Sequence, residues 1–221
     1  MVDQRLKIVF EESSKLFITK GYARTQINYI ANAAGISVGA IYTLFESKKA
    51  IFCFILKCIT DEKYMESNLN LPIKESDFNN LKNEVLEVFQ KNNKDFEKHM
   101  NSDSIYEFKD MLSDTFDMFS KYGVGFLILQ KNDFDFGNLF INYVNYRKLF
   151  CENVKKYVHK YMEKGLIRKL NDPDNHARLI IETLSWWGMH VKYDAFETNT
   201  QISNMTAKDV AIDALVHSYL I

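Results

Sequence analysis

The sequence predicts an all-α protein, and three observations carry that prediction. The 221 residues include only 2 Pro and 8 Gly, the two residue types that interrupt helices most strongly. Apolar residues recur every three to four positions along most of the chain, the period of an amphipathic helix. No stretch of strictly alternating apolar and polar residues reads as a strand. Apolar residues make up 47% and charged residues 26%, ordinary values for a globular chain of one to two domains. A disordered tail, a collagen-like fibre and a disulfide-stapled miniprotein are excluded.

Nine helices can be placed in order. The first runs from about Asp3 to Lys20, with Leu6, Val9, Phe10, Ser13, Leu16 and Phe17 on one stripe. Gly21 stops it as a C′ glycine does. The second spans about Gln26 to Ala34, where Thr25 can cap and Ile27, Ile30, Ala31 and Ala34 share a face. Gly35 breaks the chain, Ser37 caps a short third helix, Val38 to about Leu44, and Ser47 caps a fourth, Lys48 to about Tyr64. A polar loop over 68–77 precedes a helix from Phe78 to Met100 and another from about Ser104 to Tyr122. Gly123 with Gly125, and then Asn132 to Gly137, read as breaks. A long helix from Leu139 to about Lys164 ends at Gly165. Asp172-Pro173 opens the next, to Phe196, because Pro suits a first helical turn. The last covers Thr206 to Tyr219.

The net charge of -1 hides an asymmetry. Residues 1–49 carry Arg5, Lys7, Lys15, Lys20, Arg24, Lys48 and Lys49 against Asp3, Glu11, Glu12 and Glu46, a balance of +3, and the rest of the chain carries -4. Such a split hints at two jobs in one chain. Cys53 and Cys58 lie five apart, and Cys151 stands far from both, which suits neither a zinc site nor a CxxC redox pair. An odd count with no apolar leader at the start leads to the expectation of a reducing cytoplasm and free buried thiols. Apolar runs such as Val124 to Leu129 are far short of the roughly 20 residues of a membrane span, so no membrane association is expected.

The most informative segment is Thr25 to Ile51, TQINYIANAAGISVGAIYTLFESKKAI. It describes two short helices joined by a tight glycine-containing turn, a helix-turn-helix. Ile30, Ala31, Ala34, Ile36, Ile41 and Phe45 supply a small core where the helices cross. The third helix then turns Val38, Gly39, Ala40, Tyr42 and Thr43 outward. Gly39 and Ala40 are too small to hold a backbone away from DNA. Val38, Ala40 and Thr43 can touch thymine methyl groups, and Tyr42 can reach a phosphate or sugar. Ser37 and Lys48, at helix starts, are candidate phosphate clamps. Thr25, Gln26 and Asn28 are further candidates for DNA contact, beside the simpler roles of helix cap and solvated surface.

AGISVGAIYTLFESKKAI resembles the signature of the tetracycline-repressor-like (TetR) family of bacterial transcription regulators. The resemblance rests on Ala34, Gly35, Ile36, Ser37, Gly39, Ala40, Ile41, Tyr42, Phe45, Ser47 and Lys48, and upstream on Leu16-Phe17, Gly21-Tyr22, Thr25, Ile27 and Ile30-Ala31. It covers about residues 5–55. Ser13 stands where alanine is usual, and Asn28 and Asn32 stand where acidic residues are common. The resemblance implies a helix-turn-helix DNA-binding domain at 1–47 and a larger helical ligand-binding and dimerisation domain at 48–221. It further implies a homodimer on a pseudo-palindromic double-stranded DNA operator, released by a small-molecule effector.

For the dimer interface the resemblance points to the last two long helices. Leu179, Ile180, Thr183, Leu184, Trp187 and Val191 are candidates on one, and Val210, Leu215 and Val216 on the other. The 31 aromatic residues (14%) suggest either a bulky core or an aromatic-lined pocket for a largely apolar or aromatic ligand. Candidates to line it are Phe89, Phe96, Met100, Tyr106, Met111, Phe116, Phe119, Phe140, Tyr143, Tyr146, Phe150 and Trp186. No HExxH, P-loop or GxGxxG pattern occurs, and no catalytic residue, metal or cofactor is expected. His190 reads as a capped or interface histidine, and Asp133 and Asp135 with Phe134 and Phe136 as a solvated loop. The expected function is a cytoplasmic, ligand-responsive DNA-binding regulator, most often a repressor in the resembled family. The alternative is a small-molecule-binding or interaction protein whose first helices no longer read DNA.

Overall fold

The computed structural model describes residues 3–100, 106–132, 137–199 and 201–221, with the backbone alone at Met100. The expected start at Ser104 and the loop of Asp133 to Phe136 lie outside the described residues. The helices are α1 (Gln4–Thr19), α2 (Ile27–Ala34), α3 (Val38–Leu44), α4 (Lys48–Thr60), α5 (Leu81–Met100), α6 (Phe108–Lys131), α7 (Gly137–Glu163), α8 (Pro173–Ser185), α9 (Val191–Tyr193) and α10 (Asn204–Tyr219). A π-helical turn, Trp186–His190, joins α8 to α9 without a break. With that rod counted once, the described residues hold the nine helices that the periodicity predicts. The protein is all-α, and the single β-type pairing among the described residues is the isolated bridge between Phe45 and Ile73.

Two compact units form, Met1–Val88 with Val124–Ile141, and Phe89–Gly123 with Asn142–Ile221. In the first, α1, α2 and α4 bury Leu6, Val9, Phe17, Ile30, Ala31, Phe52 and Ile55. Ser13, polar on the buried stripe of α1, donates its hydroxyl to the Val9 carbonyl, so its burial leaves no unmet hydrogen bond. Ser47 caps α4 through the Ala50 N–H at 3.1 Å. Helix α4 stops at Thr60, one turn before the expected Tyr64, which instead starts a 3-10 turn, Tyr64–Glu66.

Three sequence expectations need correction. Gly123 and Gly125 do not break a helix; both lie inside α6. Their small size lets other helices come close. A Cβ on Gly123 would sit 2.6 Å from Met189 Cβ, and one on Gly125 would touch Ile59 at 3.5 Å. The helix opened by Pro173 is α-helical only to Ser185, because the π turn takes over at Trp186. A π turn adds a residue to the ladder, and Gly188 within it lies so near Phe119 that a Cβ would meet Phe119 Cβ at 3.0 Å. Finally, Thr25 does not cap α2. The N-cap position falls on Gln26, and the Thr25 hydroxyl donates to the Gly21 carbonyl at 2.8 Å.

In the second unit, α7 buries Tyr143, Tyr146, Phe150, Val154, Tyr157 and Tyr161 along one stripe. The Tyr157 hydroxyl donates to the Phe96 carbonyl. Helix α10 closes on α8, where the Tyr219 hydroxyl meets His176 Nδ1 at 2.8 Å. No described helix is long and apolar enough to cross a membrane.

The contact at Gly123 makes a direct test of the packing. Gly123→Ala is expected to destabilise the protein by about 1–3 kcal/mol through overpacking against Met189. Gly137→Ala, where nothing lies within 4 Å of the new Cβ, should not. Urea denaturation midpoints at constant m-value measure both.

Candidate functional site

The helix-turn-helix is built around a seven-residue helix. α2 ends on Gly35, whose φ of 68° lies in the left-handed region that only glycine enters at little cost. Its N–H bonds back into α2, and the Ile36 N–H donates to the Ala31 carbonyl at 3.0 Å. This paired closure turns the chain sharply and satisfies the last carbonyls. Ser37 then caps α3, accepting from the Ala40 N–H at 3.1 Å. Ile41, Leu44 and Phe45 are fully buried and fix which face of α3 points inward.

A clasp holds the far end of α3. The Ile73 N–H donates to the Leu44 carbonyl at 2.8 Å, and the Glu46 N–H donates to the Ile73 carbonyl at 2.9 Å. Just beyond, the Ser47 hydroxyl donates to Glu75 at 2.6 Å, and Lys49 pairs with the same carboxylate at 3.1 Å. These bonds hold the Glu75 carboxyl below its ordinary range.

The outward face of α3 is open. Tyr42 is 52% exposed and Val38 40% exposed, with Ser37, Gly39 and Thr43 also exposed and Ala40 half-buried. The Thr43 hydroxyl donates to the Ala40 carbonyl at 2.7 Å. A Cβ on Gly39 would meet only Ser37 Oγ, at 3.8 Å. The protein's own packing therefore has room for a side chain there, and glycine is an unfavourable choice in a helix. Gln26, Asn28 and Tyr29 at the start of α2 are exposed, and the Lys20 ammonium sits 4.8 Å from the centroid of the Tyr29 ring.

Thr25 and Lys48 are placed differently from these. Thr25 is fully buried, so its hydroxyl faces the protein. The Lys48 ammonium donates to the carbonyls of Tyr22 at 2.7 Å and Thr25 at 2.9 Å, and lies 4.1 Å from the Tyr22 ring centroid. A lysine at a helix start is disfavoured by the helix dipole; here internal carbonyls and an aromatic face supply the compensation. Tyr22 in turn packs on Phe17 and Phe52 at 5.4 and 5.7 Å. Asn132 grips the same loop. Its Oδ1 accepts from the Tyr22 N–H, and its Nδ2 donates to the Ile128 carbonyl at 2.6 Å. Sequence reasoning missed Asn132, because a polar residue after a helix looks like loop, and only its burial at 3% exposure marks it as structural.

The positive balance of this segment also becomes specific. Arg5 pairs with Asp3, Lys15 with Glu12 and Lys49 with Glu75. Among the described residues, Lys7, Lys20 and Arg24 make no ion pair, and all three are exposed.

In the second unit the aromatic candidates separate. Phe96, Tyr146 and Phe150 line a cavity of about 180 Å³ together with Asn92, Asp95, His99, Asp114 and Met118. Phe89 stacks behind Tyr146 at 4.7 Å, and Tyr106 bonds Asp114 through its hydroxyl. Met111, Phe116 and Tyr143 are at most 1% exposed, as core residues are, and Phe119 packs on Phe150. Phe140 is half-buried and belongs to the first unit. Trp186 is 46% exposed and stacks on His190 at 5.3 Å, while His190 bonds Asp194 at 2.7 Å. The Met100 side chain lies outside the described residues.

The candidates on the helices from Pro173 onward divide by face. Ile180 and Leu184 are fully buried within the unit, and Val191 and Leu215 nearly so. Leu179 and Val210 are exposed at 55% and 45%, with Thr183, Trp187 and Val216 half-buried. The three cysteines are unpaired and half-buried. Burial pushes the thiols of Cys53 and Cys58 up to about 11 and about 12, so both stay protonated and poorly nucleophilic.

Residues 10–53 match the family described as bacterial regulatory proteins, tetR family. A curated relative, the uncharacterized HTH-type transcriptional regulator YuxN of Bacillus subtilis (strain 168), is 36% identical over 61 residues. That match covers 28% of this chain and spans about a fifth of the relative's length, 21%. Among solved structures, the ketosteroid transcriptional regulator KstR2 of Mycobacterium tuberculosis is similar at a TM-score of 0.57 and 17% identity, over 100% of this chain and 97% of that one. The fatty acid degradation regulator FadR of Bacillus halodurans gives 0.47 and 15%, over 96% and 95%. The first of these likenesses shows that the fold is shared along the whole chain.

The brace around Tyr22 is testable by itself. Lys48→Met is expected to lower stability by about 1.5–3 kcal/mol, the range for hydrogen bonds to a charged group. Chemical denaturation measures it, and an unchanged midpoint would show that the ammonium holds nothing.

Proposed function

We propose that this chain, whose residues 10–53 form the helix-turn-helix of the bacterial tetR regulatory family, is a ligand-responsive DNA-binding transcriptional regulator that acts as a repressor. Residues 1–47 are the reading domain, and 48–221 bind the effector and form a homodimer. The observation that carries this reading is the outer face of α3. It is exposed, it is rigidly held, and it presents a glycine for which internal packing gives no reason. A surface that must approach another backbone closely supplies that reason.

In this reading Val38, Gly39, Ala40, Tyr42 and Thr43 enter the major groove. Ser37 and the start of α4 meet phosphates, and Gln26 and Asn28 touch the flanking backbone. Lys20 and Arg24 add long-range attraction. Thr25 and Lys48 act by fixing the loop that orients α2. Two such heads read half-sites about 34–36 Å apart on a pseudo-palindromic operator. The exposed Leu179 and Val210 support a dimer contact through α8 and α10, with Thr183, Trp187 and Val216 beside them and Ile180, Leu184, Val191 and Leu215 packed behind. An effector bound in the second unit favours one arrangement of the two heads over the other and so lowers operator affinity. The protein works in the cytoplasm without catalysis.

A gel shift on DNA from upstream of its own gene tests the function. Folded protein that fails to bind at low salt would rule the regulator out and leave a small-molecule-binding or interaction protein. Gly39→Ala separates reading from folding. It is expected to raise stability by up to about 1 kcal/mol and to weaken operator binding tenfold or more. Tyr42→Ala should weaken binding across sequences, whereas substitution of Thr43 should change the preferred base by about 1–3 kcal/mol. Binding competition among operator variants distinguishes the two.

A further inference from the structure

We propose that the effector is a small organic cation, held by Asp114 and Asp95 against the aromatic wall of the cavity in the second unit; this rests on the regulator reading only in naming the ligand an effector. Three helices build the cavity, each from residues one turn apart. α5 contributes Asn92, Asp95, Phe96 and His99, α6 contributes Asp114 and Met118, and α7 contributes Tyr146 and Phe150. Residues three or four apart share a helix face, so all eight converge on one space.

The wall is aromatic and tightly fixed. Phe96 packs on Phe150 with ring centroids 5.2 Å apart, and Tyr146 is held in a stack with Phe89 at 4.7 Å. Ring faces attract a cation through their quadrupole, by up to about 2 kcal/mol when the site is desolvated. Met118 adds a polarisable thioether surface.

The charge is one-sided. Neither Lys nor Arg lines the cavity, and the basic residue that does, His99, stacks on the Tyr106 ring at 4.3 Å. Asp95 pairs with Lys98 at 2.7 Å, but that lysine is 75% exposed and lies outside the lining. Asp114 accepts a hydrogen bond of 2.7 Å from the Tyr106 hydroxyl. Burial and that carboxylate keep the Tyr106 phenol protonated far above its ordinary range, so the bond is from a neutral donor. Among the described residues no cation pairs with Asp114. An anionic ligand would meet two carboxylates, with His99 the one basic side chain among the lining residues to offset them. A neutral apolar ligand would gain nothing from the two carboxylates. A monocation satisfies both the carboxylates and the rings.

The size restricts the ligand further. The volume of about 180 Å³ slightly exceeds the roughly 150 Å³ of an engineered cavity that takes up benzene. A single ring or compact alkyl body bearing one ammonium fits this space.

Phenyltrimethylammonium is the probe, with tert-butylbenzene as its neutral isostere and benzoate as an anion of similar size. Titration calorimetry on the full chain is expected to give saturable binding of the cation at least tenfold tighter than the isostere, and none of benzoate. Asp114→Asn keeps an acceptor for Tyr106, and should weaken cation binding tenfold or more, about 1.4 kcal/mol, without changing that of the isostere. Asp95→Asn provides a second variant with a smaller loss in the same direction. No saturable cation binding, equal binding of cation and isostere, or unchanged affinity in Asp114→Asn would each overturn the inference. A gel shift on unliganded protein keeps the two readings apart. DNA binding without cation binding defeats this inference alone, and cation binding without DNA binding defeats the regulator alone.

Discussion

A helix of seven residues does not hold itself together in water, because nucleation consumes most of what its few hydrogen bonds return. α3 is that long, and the proposed reading of DNA depends on its position. Everything near it can be understood as external support. Burial of Ile41 and Leu44 sets its rotation, the left-handed Gly35 sets its entry, and Ser37 satisfies its first turn. Ile73, from a distant part of the chain, pairs with the backbone on either side of Phe45 and sets its exit. A second set of bonds, from Lys48 and Asn132, fixes the Tyr22–Thr25 loop and with it the start of α2. Core apolar contacts alone would leave a short helix free to roll; directional bonds at both ends remove that freedom.

The same support explains why polar residues in this unit are so often buried. Ser13, Thr25 and Asn132 are each below 4% exposure, and each has a backbone partner. A buried polar group with its hydrogen bonds met costs little and specifies one geometry, whereas the same group unmet would cost about 1–3 kcal/mol. Charge follows a parallel logic. Of the basic residues in the first fifty, several serve internal ion pairs or the Tyr22 brace. The three left without an ion pair, Lys7, Lys20 and Arg24, can act on a polyanion at long range. The crude balance of +3 is thus less informative than which cations remain uncommitted.

Much of the reading unit was legible in the sequence. The boundaries of α1 to α3, the start of α4, the Gly35 turn, the Ser37 and Ser47 caps and the small core were all fixed by local periodicity and by residue types with strong positional preferences. The second unit was legible as helices but not as a site. A list of ten aromatic residues and two methionines could not be divided between core and cavity, because periodicity says which face is apolar and not which apolar face meets empty space. Asp95 and Asp114 were invisible for the converse reason. A carboxylate on a helix is most often solvated, and nothing local distinguishes one that borders a cavity. Gly123 and Gly125 misled in a related way, since a glycine that ends a helix and one that admits a neighbour look alike.

By itself the sequence determined most of the helices, the helix-turn-helix and its outward face, since these depend on interactions within a few residues of one another. Tertiary structure alone decided that Lys48 is drawn to the Tyr22 and Thr25 carbonyls, that Asn132 closes on the Tyr22 N–H, and that the Trp186–His190 turn widens to a π helix where Gly188 meets Phe119. Each of those joins groups tens of residues apart, and which partner a lysine or an asparagine finds depends on what folding brings within about 3 Å.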